Sequence, residues 1–473
     1  MDFETLITNN RACSASFAEL GEVLLNNPQL QQRPFGYKSE NMEPFMHFYD
    51  EEHRVSPWAC IIDKTKVQEM TGLVKTLPGI IDKALRRLLR DGEAAFCDYL
   101  NVTEIVADLF KNTQFNAADL SLRFDAVVHN QEFKIVESNS GASLGGWQMD
   151  FLQKEVMSAF KESQQLNQLN IKHHNVCESL FRALNQCMTR IKGIRSKGNV
   201  LFFLSNEEPQ TRANLEENFQ KAYTSSKSRH HRDGKIYFID KLEDMEVTPE
   251  GRVYCHGQEM DAVLLTTQEE NEVPDNILNI LEAAALNGHF YYPDLSSLTL
   301  QGNKLIFALL HEPYMQAYLS DSERELVNRH IPWSSRIVNE RVNWQGKTLA
   351  MTELLSNHKQ VLLLKKAHSM QGKDVLMGHS CTPEQWQQHI DKVKSDPDWI
   401  VQSYFDPDPV LCSDPVNKIN AYRMVWGFFS FGGNYGGCFL RGVPAVTDSS
   451  VINSANGAVE FLIFEEQKKK MLL

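Results

Sequence analysis

The segment Phe133–Trp147 reads FKIVESNSGASLGGW. Its first half is apolar at Phe133, Ile135 and Val136, as in a buried strand; Glu137 and Asn139 follow, and then a Ser/Gly loop. An acid and an amide two residues apart on a strand share a face. A buried strand end takes such oxygens only where something binds them. Just upstream, SLRFDAVV (121–128) repeats the layout with Arg123 and Asp125, and HNQE (129–132) is a polar turn between the two runs. Whether the pairs meet depends on the loop. An odd-length loop such as 130–132 sets Asp125 opposite Glu137 and Arg123 opposite Asn139, whereas a two-residue loop sends them to opposite faces of the sheet.

If they meet, two adjacent carboxylates repel each other unless a cation joins them. Mg2+ takes a few carboxylate and amide oxygens together with water and phosphate, and Asp125, Glu137 and Asn139 offer that set. Arg123 beside them would hold a phosphate or a developing oxyanion. The competing reading is a surface hairpin with ordinary ion pairs of little energetic worth. The apolar companions Val127, Phe133 and Ile135 argue for burial.

The chain around this hairpin has 473 residues, room for two or three domains. Its net charge of −13 argues against nucleic acid or an anionic membrane as partner, since both call for a basic surface. No apolar run approaches the roughly 20 residues that span a bilayer. The opening MDFETLITNN lacks the basic and apolar regions of a signal peptide. Nine cysteines are scattered without a C-x-x-C and read as reduced thiols, so a cytoplasmic protein is expected.

Three blocks are expected along the chain. Residues 1–195 are mainly helical, with KALRRLLRDGEAAFCDYL (83–100) at helical spacing and one long helical region over 147–192, and they carry the hairpin at 121–147. Residues 196–298 alternate strands (NVLFFLSN, KIYFID, DAVLLTT) with helices (LEENFQKAY, ILNILEAAALNG), the pattern of a small α/β layer with a largely parallel sheet. In 299–473, GNKLIFALLHEP is a helix with Asn303 as N-cap and a stop near Pro313. QVLLLKKAHSMQGKDVLMG (360–378) is strand, loop, strand, and WIVQSYF (399–405) is a buried strand. YRMVWGFFSFGGNYGGCFLRG (422–442) is a glycine-broken sheet region and VINSANGA (451–458) a polar turn. There is no G-x-G-x-x-G and no P-loop motif. The pairs His173-His174 and His230-His231 read as structural, and the Trp/Phe cluster at 426–431 as core.

RFD, the interval of twelve from Asp125 to Glu137, the E-x-N and the small-residue loop together resemble the metal site of the ATP-grasp ligases. They are most similar to the circularly permuted branch that includes glutathionylspermidine synthase, because here the segment precedes the Lys-bearing strands instead of following them. GNKLIFALLHEP resembles that branch's N-K-x-x-x-x-x-L-[WH]-E helix, and LLLKKAHSMQGKDVLMG its Lys-bearing strand–loop–strand, with Lys366, Gln371 and Asp374 where the family has Pro and Gly. The resemblance implies an α/β (α+β) protein with a circularly permuted ATP-grasp fold, a Rossmann-like layer preceding the nucleotide domain, and a helical N-terminal region.

It further implies ATP and Mg2+ (two ions) on Asp125, Glu137 and Asn139, with Arg123 catalytic. Lys304, Lys365, Gly372, Gln402, Ser403, Tyr404 and Arg441 would bind ATP, and Ser140, Ser143 and Asn453 the substrate. The implied activity is an ADP-producing ligase that forms an amide through an acyl-phosphate, acting on small-molecule or peptide carboxylates and amines, with a homodimer allowed for. The departures at 366, 371 and 374 leave a second expectation, an ATP-binding regulatory or scaffold protein with reduced catalysis. A kinase releasing a stable phosphate ester is a third.

Overall fold

The computed structural model describes residues 2–31, 54–204, 209–266, 273–369, 374–414, 418–447 and 451–467. The two runs read as strands do form an antiparallel hairpin, Ser121–His129 with Glu132–Ser140. The connection is the two-residue alternative, Asn130 and Gln131, both at positive φ (50° and 65°), and the expectation that such a loop sends the two pairs to opposite faces is corrected. Paired positive φ values match the right-handed twist of the flanking strands. Asp125 nevertheless lies opposite Glu137, and Arg123 opposite Asn139. The extra residue sits in the strand instead: Ala126 pairs with Ile135 and Asp125 with Glu137, leaving Val136 as a bulge.

This hairpin forms one edge of an eight-stranded sheet. Ser121–His129 pairs antiparallel with Lys418–Phe431, placing Asp125 beside Gly427. Lys418–Phe431 turns at Gly432-Gly433 into Asn434–Pro444, which pairs with Val459–Glu466. Cys60–Ile62 then adds in parallel, and Ile171–His173 and Val410–Asp414 complete the sheet. Strands from the first and the last of the expected blocks thus share one sheet. Its core holds the aromatic cluster of 426–431: Phe133 lies 5.4 Å from Trp426 and 5.7 Å from Phe428 between ring centroids.

The long helix Lys64–Leu89 packs on this sheet. Asp63 caps it by accepting from Lys66 N, and Met70, Leu73, Leu77, Ile81, Leu85 and Leu88 bury one stripe at helical spacing. Each such apolar side chain contributes on the order of 1.5–3 kcal/mol on burial. The helix stops at Leu89, and a second, Glu93–Leu100, starts after Gly92 at φ 115°, so 83–100 is two helices. The single helical region expected over 147–192 is likewise corrected. It consists of a 3-10 turn (Trp147–Leu152), a helix (Gln153–Glu162), the short strand Ile171–His173 and a helix (Val176–Lys192). Buried His173 fixes that strand by bonding Ile463 O at 2.9 Å and Asp150 Oδ1 at 2.6 Å.

A second, antiparallel sheet runs Ser334–Arg336, Trp399–Ser403, Leu362–Lys366, Val375–Met377 in spatial order. A third is parallel, Ala262–Thr266, Val200–Leu204, Ile236–Ile239, with the helix Pro209–Ser226 crossing between the last two strands in space. The whole is a mixed α+β architecture. Among the described residues, no helix is long and apolar enough to cross a membrane.

Candidate active site

The bulged hairpin and the four-stranded sheet face each other across a cleft. Val127, Val136 and Val425 line it from the large sheet, and Leu363, Val375 and Met377 from the small one. Tyr404 and Phe405 lie at one end, and Tyr404 packs on His379 at 4.4 Å between rings. At the other end stand Asp125, Glu137, Lys304, Lys365 and Arg441. A second, larger and more open cavity lies beyond them, walled by Arg123, Asn139, the loop at 143–146, Thr299 and Phe439. The two share Glu137, Lys304, Ser369, Arg441 and Asn453.

Asp125 is the most constrained carboxylate at this junction. Arg123 donates to it from Nε (2.7 Å) and Nη2 (2.8 Å), and Arg441 from Nη2 (2.8 Å). Burial alone would raise its pKa, but the two guanidiniums outweigh that and hold it at about 2. Both guanidiniums also face the ring of Phe439, at 5.7 and 5.4 Å from its centroid. That ring lies over Gly427 and Gly146, where an added Cβ would stand 2.4 and 2.3 Å from it. Glycine at both positions lets the ring lie between the strand Lys418–Phe431 and the loop.

The lysines come from separate elements. Lys304, preceding the helix Leu305–His311, reaches Glu137 Oε1 at 3.1 Å and the carbonyls of Ala367 and Ser369 at 3.3 and 2.8 Å. The residue at the N-cap is Lys304, not Asn303 as expected; Asn303, one position earlier, accepts from Leu305 N through Oδ1. Lys365, on the strand Leu362–Lys366, donates to the bulge carbonyl Val136 O at 3.1 Å. Burial, reinforced by Lys304, draws its ammonium down to about 8 despite Glu137. Arg441 Nε is buried with no hydrogen-bond partner among the described residues. Four cations (Arg123, Lys304, Lys365, Arg441) surround three carboxylates (Asp125, Glu137, Glu460), an excess of positive charge suited to a polyphosphate.

The remaining expected residues divide. Ser403 and Tyr404 line the cleft and Asn453 the junction. Gln402 lies behind the wall instead: it is wholly buried, and its amide donates to Ser334 Oγ at 3.1 Å. Ser140 and Ser143 line the second cavity, with their hydroxyls donating to Thr299 O and Leu265 O at 2.8 and 3.2 Å. Gly372 is outside the described residues. Not foreseen were Phe439, the His368–Asp398 pair and Glu460, which is opposite Arg441 in the sheet and accepts from Ser454 Oγ at 2.6 Å. An acid in the otherwise apolar run VEFLIF was the one signal for Glu460.

The donors suit a hard cation. Asp125 and Glu137 offer oxygens from one register pair and Asn139 from two positions along the same strand, and the low pKa keeps Asp125 ionised. No group of three or more His, Cys, Asp or Glu able to hold a metal occurs among the described residues. Two acids and an amide form only part of a shell, which is the share Mg2+ takes when water and phosphate complete it.

A glutathione synthetase-like effector from Globodera pallida, solved in apo form, is similar in structure, with a TM-score of 0.52 and 12% sequence identity. The match covers 87% of this chain and 90% of that one. At that identity the likeness speaks for the fold alone. No family model and no curated protein matches the chain.

Proposed function

We propose that the chain is an ATP-dependent carboxylate–amine ligase with a circularly permuted ATP-grasp fold. It would join the carboxylate of an amino acid, peptide or small metabolite to an amine through an acyl-phosphate. The observation that carries this reading is the junction of the two cavities. A cleft between two sheets, apolar along its walls and cationic at one end, opens there onto a wider cavity with room for a second reactant. The permuted order is supported by the hairpin at 121–140 completing a sheet whose other long strands lie at 418–466. The fold-level likeness to a glutathione synthetase-like effector points the same way.

On this reading Lys304 and Lys365 hold the phosphates as point charges, and Tyr404 and Phe405 flank the base. Arg123 and the unpartnered Arg441 Nε stabilise the negative charge of the transferred group; one such donor typically contributes about 3–4 kcal/mol to lowering the barrier. Asp125, Glu137 and Asn139 would hold magnesium, which would supply neutralisation of the phosphate charge.

The test is a screen of carboxylate and amine pairs for ADP formation, with mass spectrometry of the product. Glu137→Ala and Lys365→Ala should abolish ligation while circular dichroism stays unchanged; ligation at the parental rate by either variant rejects the assignment. One observation favours the scaffold reading: guanidiniums already engage both oxygens of Asp125. Tight ATP binding without ADP across the whole panel would decide for it.

A further inference from the structure

An amine at neutral pH is protonated, so forming an amide from it requires a base beside the acyl-phosphate. The carboxylates at the junction are engaged: Asp125 by two arginines, Glu137 by Lys304, Glu460 by Ser454. Among the described residues, one imidazole lines the second cavity, that of His368. Resting on the ligase reading, we propose that His368, oriented by Asp398, is the base that takes the proton from the attacking amine.

The geometry orients the ring. His368 Nδ1 pairs with Asp398 Oδ1, and Asp398 is buried at 5% exposure. Asp398 is itself fixed, accepting from Asn101 Nδ2 at 3.3 Å and taking Ala367 N on its backbone carbonyl at 2.7 Å. A carboxylate at Nδ1 selects the tautomer with its proton there and leaves the Nε2 lone pair as acceptor. Asn303 Nδ2 approaches that lone pair at 3.4 Å, while its stronger bond goes to Leu100 O at 2.9 Å, so a substrate proton displaces only a long contact. Lys304 ties the base to the phosphate end by bonding the carbonyls on either side of His368, those of Ala367 and Ser369. Among the described residues, Asp398 is the charged group that pairs with the ring, and Lys304 the nearest cation by its bonds to the flanking carbonyls.

The step balances. R–NH3+ gives one proton to Nε2, and the imidazolium is stabilised by Asp398. The freed nitrogen pair forms the C–N bond at the acyl carbon. The C–O bond to phosphate breaks with its electrons going to oxygen, and the second nitrogen proton leaves as part of HPO4 2−.

Hydroxylamine separates this role from a structural one, because it is already neutral at pH 7 and needs no base. The full chain is assayed with ATP, Mg2+ and the common amino acids and their dipeptides as carboxylates. Acceptors are hydroxylamine on one side and ammonium, amino acids and putrescine on the other. A parent that makes neither ADP nor hydroxamate defeats the ligase reading itself. With an active parent, His368→Gln should lower the ratio of amide to hydroxamate by about 100-fold or more, and its amide rate should climb with pH where the parent's has levelled. Asp398→Asn, which keeps the ring, should move the acidic limb of the pH–rate profile to lower pH. Equal losses of both products in His368→Gln, or an unmoved limb in Asp398→Asn, would make the pair a loop latch and overturn the proposal.

Discussion

Lys365 Nζ lies 3.1 Å from the carbonyl oxygen of Val136, the one residue by which its strand outruns the neighbour it pairs with. A bulge takes a residue out of the ladder, and here a buried ammonium bonds the carbonyl of that residue. The same extra residue, combined with the two-residue turn, brings Glu137 opposite Asp125. One insertion sets the acid pair and anchors a lysine from the other wall of the cleft.

The Lys365 ammonium is held at about 8, below its ordinary 10.5. Because the folded value is the lower one, the charge costs stability below pH 8, and the cost fades as pH rises from 8 toward 10.5. Lys365→Met should therefore match or exceed the parent's Tm at pH 7, the gain having an upper bound of about 3 kcal/mol. ATP affinity should fall at least about tenfold, the weight of a lost charged hydrogen bond. In the parent, ATP binding should weaken as pH climbs through 8, with proton uptake visible by calorimetry in buffers of different ionisation enthalpy. A sharply lower Tm with unaltered ATP affinity would make the lysine a structural group.

Deleting Val136 tests the bulge directly. By count, the shortened strand still sets Ile135 opposite Ala126 and Glu137 opposite Asp125, now in an unbroken ladder. The hairpin should survive, with Tm near the parent's, while Lys365 loses its acceptor and ATP affinity falls by about tenfold. Unchanged affinity would show that the bulge serves the hairpin alone.

Asp125→Asn leaves two buried guanidiniums facing a neutral amide, and removing one partner of a buried pair costs about 3–5 kcal/mol. The carboxyl's folded pKa of about 2 lies below its ordinary 3.8, so its contribution is complete above pH 4 and is lost as pH falls toward 2. Urea titrations of the parent across that window should show a loss that the variant, already destabilised, no longer shows. A variant as stable as the parent at pH 7 would show that the clamp contributes little.

How much of this was legible follows from how far each interaction reaches. Side-chain alternation alone placed Arg123, Asp125, Glu137 and Asn139 on shared faces, and parity required one extra residue between the pairs. Its location was not legible, because Val136 is bonded by a lysine 229 positions away. The strand Ile171–His173 was hidden for a similar reason: three residues have no periodicity of their own and are held by Phe464–Glu466 and Asp150. Lys304 and Lys365 stood out in short motifs, whereas His368 acquires a role only from Asp398, thirty positions on. Gln402 was expected at the cleft from its position in WIVQSYF, yet its amide bonds Ser334 on the adjacent strand.

Gly427 offers the sharpest test of how the arginines are positioned. It sits beside Asp125 in the sheet, and a Cβ there would stand 2.4 Å from Phe439 Cε1. The ring cannot slide toward the loop, since Gly146 already approaches it so closely that a Cβ there would stand at 2.3 Å. Gly427→Ala must therefore tilt Phe439, at a cost of about 1–3 kcal/mol for overpacking. Tilting the ring removes the face that both Arg123 and Arg441 overlie, so ligation should fall by more than the stability loss explains. Phe439→Leu in the same background makes room and should recover much of the Tm, but without an aromatic face it should not recover turnover. Gly72→Ala is the control: it lies on the exposed side of the helix Lys64–Leu89 with nothing within 4 Å, and should gain about 0.5–1 kcal/mol at unchanged activity. Full recovery of turnover in the double variant would mean that Phe439 only fills space, and that the Asp125 clamp alone positions the two guanidiniums.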